Sequence, residues 1–227
     1  MKKSRTFVIG DIHGGYKSLM QCLERSKFDY DSDTLISLGD ENDGWPETVE
    51  VYEELFKIKN LICVMGNHTY WLMQWLMFGA TPTIWTTQGG RATIDSYLQH
   101  DHKIWIKHRE KINKFPYYYV DDKNRCFVHG GVSATISERE ADFNFLMWDR
   151  ALWDNRPVTV KRFKEVYIGH TSIYRSSLVP VKFGNVWIMD TGGGYEGVLS
   201  LMDVESKEIF QSDKVSELYG EDYYQKM

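Results

Sequence analysis

Short apolar runs separated by segments of helical period set the pattern of the first third of the chain. Thr6–Ile9 is a β-type run that stops at Gly10, and a helical pattern opens over residues 18–23. Residues 34–38 (T-L-I-S-L) read as a second, buried strand. Pro46 then stands where a helix begins, and amphipathic spacing continues to about Lys57. Residues 61–64 give a third strand, and strand–helix–strand alternation at this spacing predicts a parallel sheet with right-handed crossovers. From about residue 70 to 114 the period is helical. Trp71, Leu72, Trp75, Leu76 and Phe78 form an apolar stripe, followed by Gly89-Gly90 and a further helical segment. The stretch reads as a cap-like helical insertion, with the stripe as a packing face in preference to a ligand platform. Strands return at residues 117–120, 126–128, 166–168, 186–189 and 198–202. The polar tail after Ser212 either packs as a helix or frays. With no internal repeat and no Gly/Ser- or Pro-rich linker, residues 1–227 read as a single domain.

Composition narrows the class. The chain has 227 residues, 42% hydrophobic and 15% aromatic, enough for one sizeable core. Lys plus Arg number 27 against 32 Asp plus Glu, a net charge of −5, which argues against a broad grip on nucleic acid or on an anionic membrane. No apolar run approaches the roughly 20 residues of a membrane span. The stretch behind the basic N-terminus is too short for a signal-peptide core. Cys22, Cys63 and Cys126 are odd in number and scattered, so they read as free thiols in a reducing compartment. The expectation is a cytoplasmic protein, acting in the host cytoplasm if phage-encoded. His100, His102 and His108 lie among Lys and Asp residues and read as a solvated face.

The chemistry concentrates where apolar strands stop at a Gly beside Asp, Asn or His. The motifs are V-I-G-D-I-H-G (Asp11, His13), I-S-L-G-D-E-N-D-G (Asp40, Asp43), C-V-M-G-N-H (Asn67, His68), F-V-H-G-G (His129) and Y-I-G-H-T (His170). Residues at the carboxyl ends of neighbouring parallel strands converge on one crevice. Any one motif has an ordinary structural explanation, a helix cap, a turn or a satisfied core histidine. Five repetitions of one design in order do not. The set holds carboxylate, amide oxygen and imidazole without thiolate, which suits Mn, Fe or Zn as a working ion more than a structural zinc knot.

These motifs, in this order, resemble the calcineurin-like metallophosphoesterase superfamily, and within it the phosphoprotein phosphatase group with its small bacterial and phage enzymes. The likeness covers nearly the whole chain and takes in Gly89-Gly90, W-D-R at 148–150 and I-M-D-T-G at 188–192. It implies a four-layer α/β/β/α sandwich and a dinuclear metal centre, with Mn preferred and Fe, Zn or Mg as alternatives. Asp11, His13 and His170 would hold one ion, Asn67 and His129 the other, and Asp40 would bridge both. His68 and Asp43 match the family's acid dyad. Arg150 matches a phosphate-binding arginine, with Asn67 beside it. The implied activity is hydrolysis of phosphomonoesters, phosphoprotein among them. The alternative is a nucleotide-directed hydrolase, either of the diadenosine tetraphosphatase type or a phosphodiesterase. A non-catalytic phosphate-binding protein is disfavoured because every ligand and the dyad are kept. The expected partner is a phosphorylated protein or nucleotide, with no membrane and no extended nucleic-acid interface.

Two positions depart from the family pattern. Gly44 follows Asp43, and Met65 precedes Gly66, where relatives carry phosphate-facing arginines. A phosphate dianion thereby loses bidentate partners, whereas a diester or nucleotide anhydride needs less clamping. Arg91 and Arg175 offer substitutes, although an ordinary surface position is the preferred reading of each. Trp45 either stacks on a base at the rim or packs internally, and packing is preferred.

Overall fold

The computed structural model describes residues 4–133 and 142–220 and contains two five-stranded sheets. In the first, β1 (Thr6–Ile9), β2 (Thr34–Ser37) and β3 (Asn60–Cys63) run parallel. Strand β9 (Ser200–Asp203) is antiparallel to β1, and β10 (Ile209–Gln211) to β9. In the second, β5 (Arg125–Val128), β6 (Glu165–Ile168) and β8 (Val186–Ile188) run parallel. They are flanked by antiparallel β4 (Tyr118–Val120) and β7 (Val181–Phe183).

The two-residue period of each strand builds the layers. Phe7, Ile9 and Leu35 pack outward on α1 (Tyr16–Arg25) and α2 (Thr48–Leu55). Val8 and Ile36 point the other way, onto Phe127 and Tyr167 of the second sheet, whose rings stack at 4.8 Å. Cys126, Val128, Val166 and Ile168 then face outward, onto Leu146 of α7 (Phe143–Trp148) and Leu152 of α8 (Ala151–Asp154). The result is the expected α/β/β/α order. Helices α7 and α8 are too short to leave a period in the sequence, and β7 and β10 are edge strands of three residues that each include a polar one. The other strands fall within two residues of the predicted bounds, and α2 begins two residues after Pro46.

Between β3 and β4 lie α3 (Asn67–Phe78), the single turn α4 (Thr83–Trp85), a wide turn at Thr86–Gly90, α5 (Arg91–Leu98) and α6 (His102–Ile112). They enclose their own apolar cluster of Leu72, Met73, Trp85, Tyr97 and Ile112, backed by Val49 and Tyr52 of α2. The aromatic stripe packs as expected at Leu72 and Trp75, the latter against Trp85, Tyr97 and Trp105. Phe78 departs from that reading and is 72% exposed at the end of α3. His108 also departs from the solvated face expected of it: it is fully buried where α6 turns one side toward α2 and α5. Its Nε2–H donates to Glu53 and its Nδ1 accepts from the Tyr97 hydroxyl, both at 2.8 Å. Burial lowers its pKa to about 4, so the ring is neutral. His102 is exposed and His100 half-buried.

The tail packs. Helix α9 (Val215–Tyr219) lays the Tyr219 ring on Trp45 at 4.9 Å, and the Tyr219 hydroxyl donates to Glu47. Cys22, Cys63 and Cys126 are free and buried. No helix among the described residues is long and apolar enough to cross a membrane.

At the ends of the sheets away from the motifs, Glu165 of β6 joins the layers. It accepts from Lys207 at 2.7 Å and from the Tyr167 hydroxyl at 2.8 Å. Burial opposes its charge, but Lys207 and the bonds from Tyr167 and Trp187 together outweigh burial and lower its pKa to about 2. An unfolded Glu titrates near ~4.3. The charged Glu165 therefore contributes its full stability above that value and loses it as pH falls toward 2. Glu165→Gln should lose stability less steeply than wild type across that window, measured by urea unfolding at stepped pH.

Candidate active site

Each motif residue stands just past the carboxyl end of a strand: Asp11 and His13 after β1, Asp40 and Asp43 after β2, Asn67 and His68 at the start of α3, His129 after β5 and His170 after β6. The ends of the two sheets meet there. The His170 N–H donates to Asp11 Oδ2 at 2.9 Å, and His129 Nε2 lies 3.0 Å from Asp40 Oδ2. The approach is close enough that a Cβ on Gly169 would sit 2.1 Å from Asp11 Oδ1, and one on Gly66 the same distance from Asp40 Oδ1. His13, Asp40, Asp43 and His170 all have positive φ, between 51° and 72°, a conformation rare outside glycine. Such strain persists only where surrounding contacts over-determine it.

The hydrogen bonds fix which ring nitrogens face inward. His13 Nδ1 donates to the Asn42 carbonyl and His129 Nδ1 to the Leu38 carbonyl, leaving each Nε2 as a lone pair. Asp40 Oδ1 accepts the His68 N–H at 2.9 Å at the N-terminus of α3. Its Oδ2, His129 Nε2 and the Asn67 amide oxygen then converge, with His129 Nε2 2.9 Å from Asn67 Oδ1. Asp11 Oδ1 and His170 Nε2 are buried without a hydrogen-bond partner. Ligand atoms of Asp11, His13 and Asp40 lie within 4.8 Å of one another, and so do those of Asp40, His129 and His170. Asp190, two residues past β8, lines the same narrow cleft of about 70 Å³, as do Arg150, Trp148, Gln88 and Tyr195. The sequence does not single Asp190 out: in I-M-D-T-G no Gly stands directly beside it, so the strand-end design is incomplete.

Burial and the charges of Asp190 and Asp40 push Asp11 well above the usual carboxylate range. Burial raises Asp190 to about 6. Burial also opposes the charge on Asp40, but the imidazoles of His129 and His68 outweigh it and hold that carboxyl well below its ordinary value. His13 falls to about 4 and His170 to about 3, by burial and by the neighbouring histidine in each case. His68 moves the other way: Asp40 and the bond from Nδ1 to Asp43, 2.6 Å long, overcome burial and raise it.

The profile of the calcineurin-like phosphoesterase family matches residues 4–200. The chain belongs to that family. Serine/threonine-protein phosphatase 1 of Salmonella typhimurium is 25% identical over 208 residues, 88% of this chain and 91% of the relative. The symmetrical bis(5'-nucleosyl)-tetraphosphatase of Coxiella burnetii is 29% identical over 140 residues, 60% of this chain, which spans 45% of that enzyme. A solved metallophosphoesterase of Sphaerobacter thermophilus shares the fold, with a TM-score of 0.55, 14% identity and 97% coverage of both chains. The phosphoesterase is thus a metal-dependent phosphoester hydrolase, of a family that works with a dinuclear metal centre.

The residues present fit such a centre. Donor atoms bonded to one ion at about 2.1 Å lie about 3 Å apart, the spacing seen among Asp40, Asn67 and His129. Crowded carboxylates and orphaned lone pairs both call for positive charge. The structure divides the set differently from the expectation, because β6 pairs with β5. His170 therefore emerges beside His129, ring centroids 5.0 Å apart, and groups with His129 and Asp40, not with Asp11 and His13.

Other expectations sort plainly. Trp45 is fully buried, donates to the Gly193 carbonyl at 2.7 Å and offers no face to a ligand at the rim. Arg91 is a surface residue of α5 beside Asp95. Arg175 lines an adjoining pocket of about 360 Å³ with Arg150, Tyr174 and Tyr195. Met65 is buried beside the helical insertion's core.

Removal of metal should be visible in stability. An ion that binds only the folded state at 100 times its dissociation constant adds about 2.7 kcal/mol. Chelated protein should therefore melt below protein resupplied with Mn, and Asp40→Asn should shrink that difference, measured by thermal denaturation with and without chelator.

Proposed function

We propose that this phosphoesterase hydrolyses phosphomonoesters, phosphoproteins among them, with His68 as general acid. The observation that carries the reading is the His68–Asp43 pair, 2.6 Å apart, set beside the convergent ligand set and at the wall of a pocket of about 410 Å³. Asp11, His13 and Asp40 would hold one divalent ion, and Asp40, Asn67, His129 and His170 the other, with Asp190 adding negative charge. The oxygen and imidazole donors suit Mn first, with Fe, Zn or Mg as alternatives. Two such ions supply Lewis acidity, which activates water and neutralises the phosphoryl oxygens. Asp43 fixes the His68 tautomer and stabilises its imidazolium, so that Nε2–H faces the leaving oxygen. The proton moves from Nε2 to that oxygen, and the neutral ring regains one from solvent. Arg150, anchored through Nη1 to the His170 carbonyl and Thr171 Oγ1, turns its guanidinium toward the non-bridging oxygens. Likeness to a serine/threonine phosphatase along nearly the whole chain supports the monoester reading.

A second reading, a hydrolase of nucleotide anhydrides or diesters, is favoured by the pocket next to His68. Beside the two histidines its lining is uncharged, with Gly44, Thr87, Gln88, Gly89, Gly194 and Tyr195. Gly44 has φ +85° and donates its N–H to the Gly89 carbonyl, so its backbone resists an arginine. The deciding experiment compares kcat/KM with Mn for p-nitrophenyl phosphate, bis-p-nitrophenyl phosphate, a phosphopeptide and diadenosine tetraphosphate. The monoester reading requires the phosphopeptide to exceed diadenosine tetraphosphate.

His68→Asn should keep its metal and slow poor leaving groups by about 10²–10⁴-fold, with a smaller loss for p-nitrophenolate. Equal losses on both would remove His68 from the acid role. Arg150→Ala should cost about 1.5–3 kcal/mol in kcat/KM, roughly 10- to 150-fold, read on the same panel.

A further inference from the structure

Asp43 is where the helical insertion reaches the reacting groups. Its carboxylate is fully buried. Oδ2 accepts from His68 Nδ1 at 2.6 Å and from the Trp85 indole N–H at 2.7 Å, and Oδ1 accepts from the Thr93 hydroxyl at 2.7 Å. Trp85 closes α4 and Thr93 lies in α5, so neither belongs to a strand-end motif. The donor roles are unambiguous, because an indole only donates and an ionised carboxylate only accepts. Thr93 Oγ1 also accepts the N–H of Asp43 at 2.9 Å and stands 3.0 Å from Thr48 Oγ1. Its single hydrogen is committed to the carboxylate, so Thr48 is the donor in that contact.

The Gly89-Gly90 pair makes room for this arrangement. A Cβ on Gly90 would stand 2.5 Å from the Trp85 Nε1, and one on Gly89, at φ +91°, would stand 2.5 Å from the Gly44 nitrogen. Two glycines let the turn press the indole against Asp43 while its own backbone docks beside the second motif.

We propose that Trp85 and Thr93 are positioning residues for the acid dyad. Three donors from three directions fix the carboxylate plane. A carboxylate that cannot rotate holds the His68 ring in one tautomer and one orientation, with Nε2 toward the cleft. The Trp71 ring, 5.0 Å from that of His68, closes the other side. Neither residue touches substrate; both act through Asp43. The inference rests on the acid role given to His68 above.

The test uses the full chain, with metal content and melting temperature recorded for every variant. Thr93→Val should lower kcat on a phosphoserine peptide by about 10–100-fold, the size of effect that a misplaced catalytic group produces. The loss on p-nitrophenyl phosphate should be much smaller. Thr93→Ser, which keeps the hydroxyl, should restore the peptide rate. Trp85→Phe should show the same selectivity between leaving groups. In a His68→Asn background Thr93→Val should add little, because a residue acting through His68 has nothing left to position. Should His68→Asn be selective for leaving group while Thr93→Val slows both substrates equally, or adds its whole effect to His68→Asn, the positioning role is overturned and the acid role stands. Should His68→Asn slow both substrates equally, both fall together.

Discussion

The Asp40 carboxylate sits between the N-terminus of α3 and the imidazole of His129, with Asp11 and Asp190 pressing on its charge. One oxygen is committed to backbone N–H groups, which ties the end of β2 to the start of α3. The other is committed to the inner side, where lone pairs from both sheets meet. A buried cluster of this kind is costly in a medium of low dielectric unless positive charge is supplied. The positive φ values of His13, Asp40, Asp43 and His170 belong to the same constraint. The chain turns sharply after each strand so that these donors share one small volume.

The parts of this arrangement legible in the sequence were those written locally. An apolar run ending in Gly-Asp or Gly-His marks its own strand end, and the residues so marked all reach the cleft. What the sequence does not carry is which strand ends are neighbours. His170 looked like a partner of Asp11 and His13, and the pairing of β6 with β5 placed its ring beside His129. Asp190 follows Met189 with no Gly beside it, so it lacks that local mark, and its motif enters the reading only as part of a likeness. His108 misled through its company: Lys107 and Lys111 flank it, yet α6 turns that one side onto Glu53 and Tyr97. Strands β7 (V-K-F) and β10 (I-F-Q) each include a polar residue, so neither shows the unbroken apolar run that marks β4 and β8, strands of the same length.

The two missing arginines look like separate losses in the sequence and share one cause in the structure. Met65 is buried beside the core of the helical insertion, and Gly44 receives the insertion's turn through its bond to Gly89. Both positions are taken by contacts with the same 67–112 segment. Arg150 is then the arginine left lining the cleft among the described residues, on a chain whose net charge of −5 gives an anionic substrate no long-range attraction. On the reading proposed above, discrimination among phosphate esters would depend on the charge at the strand ends and on the pocket beside His68.

That pocket and the His68–Asp43 pair take their geometry from the insertion, so what holds the insertion sets the shape of the site. Helix α5 carries Thr93, and α5 is tied to α6 by the Tyr97–His108 bond and through His108 to Glu53 of α2. A surface ion pair in the same place would weaken with salt. A buried, neutral imidazole gives instead one donor and one acceptor in fixed directions, and burial lowers its pKa to about 4, so the pattern is unchanged through neutral pH. Burial lowers the pKa of His13 and His170 as it does that of His108, but to different ends. At the strand ends a neutral ring turns a lone pair into the cleft, and in the insertion it passes position from α2 to the helix that holds Asp43.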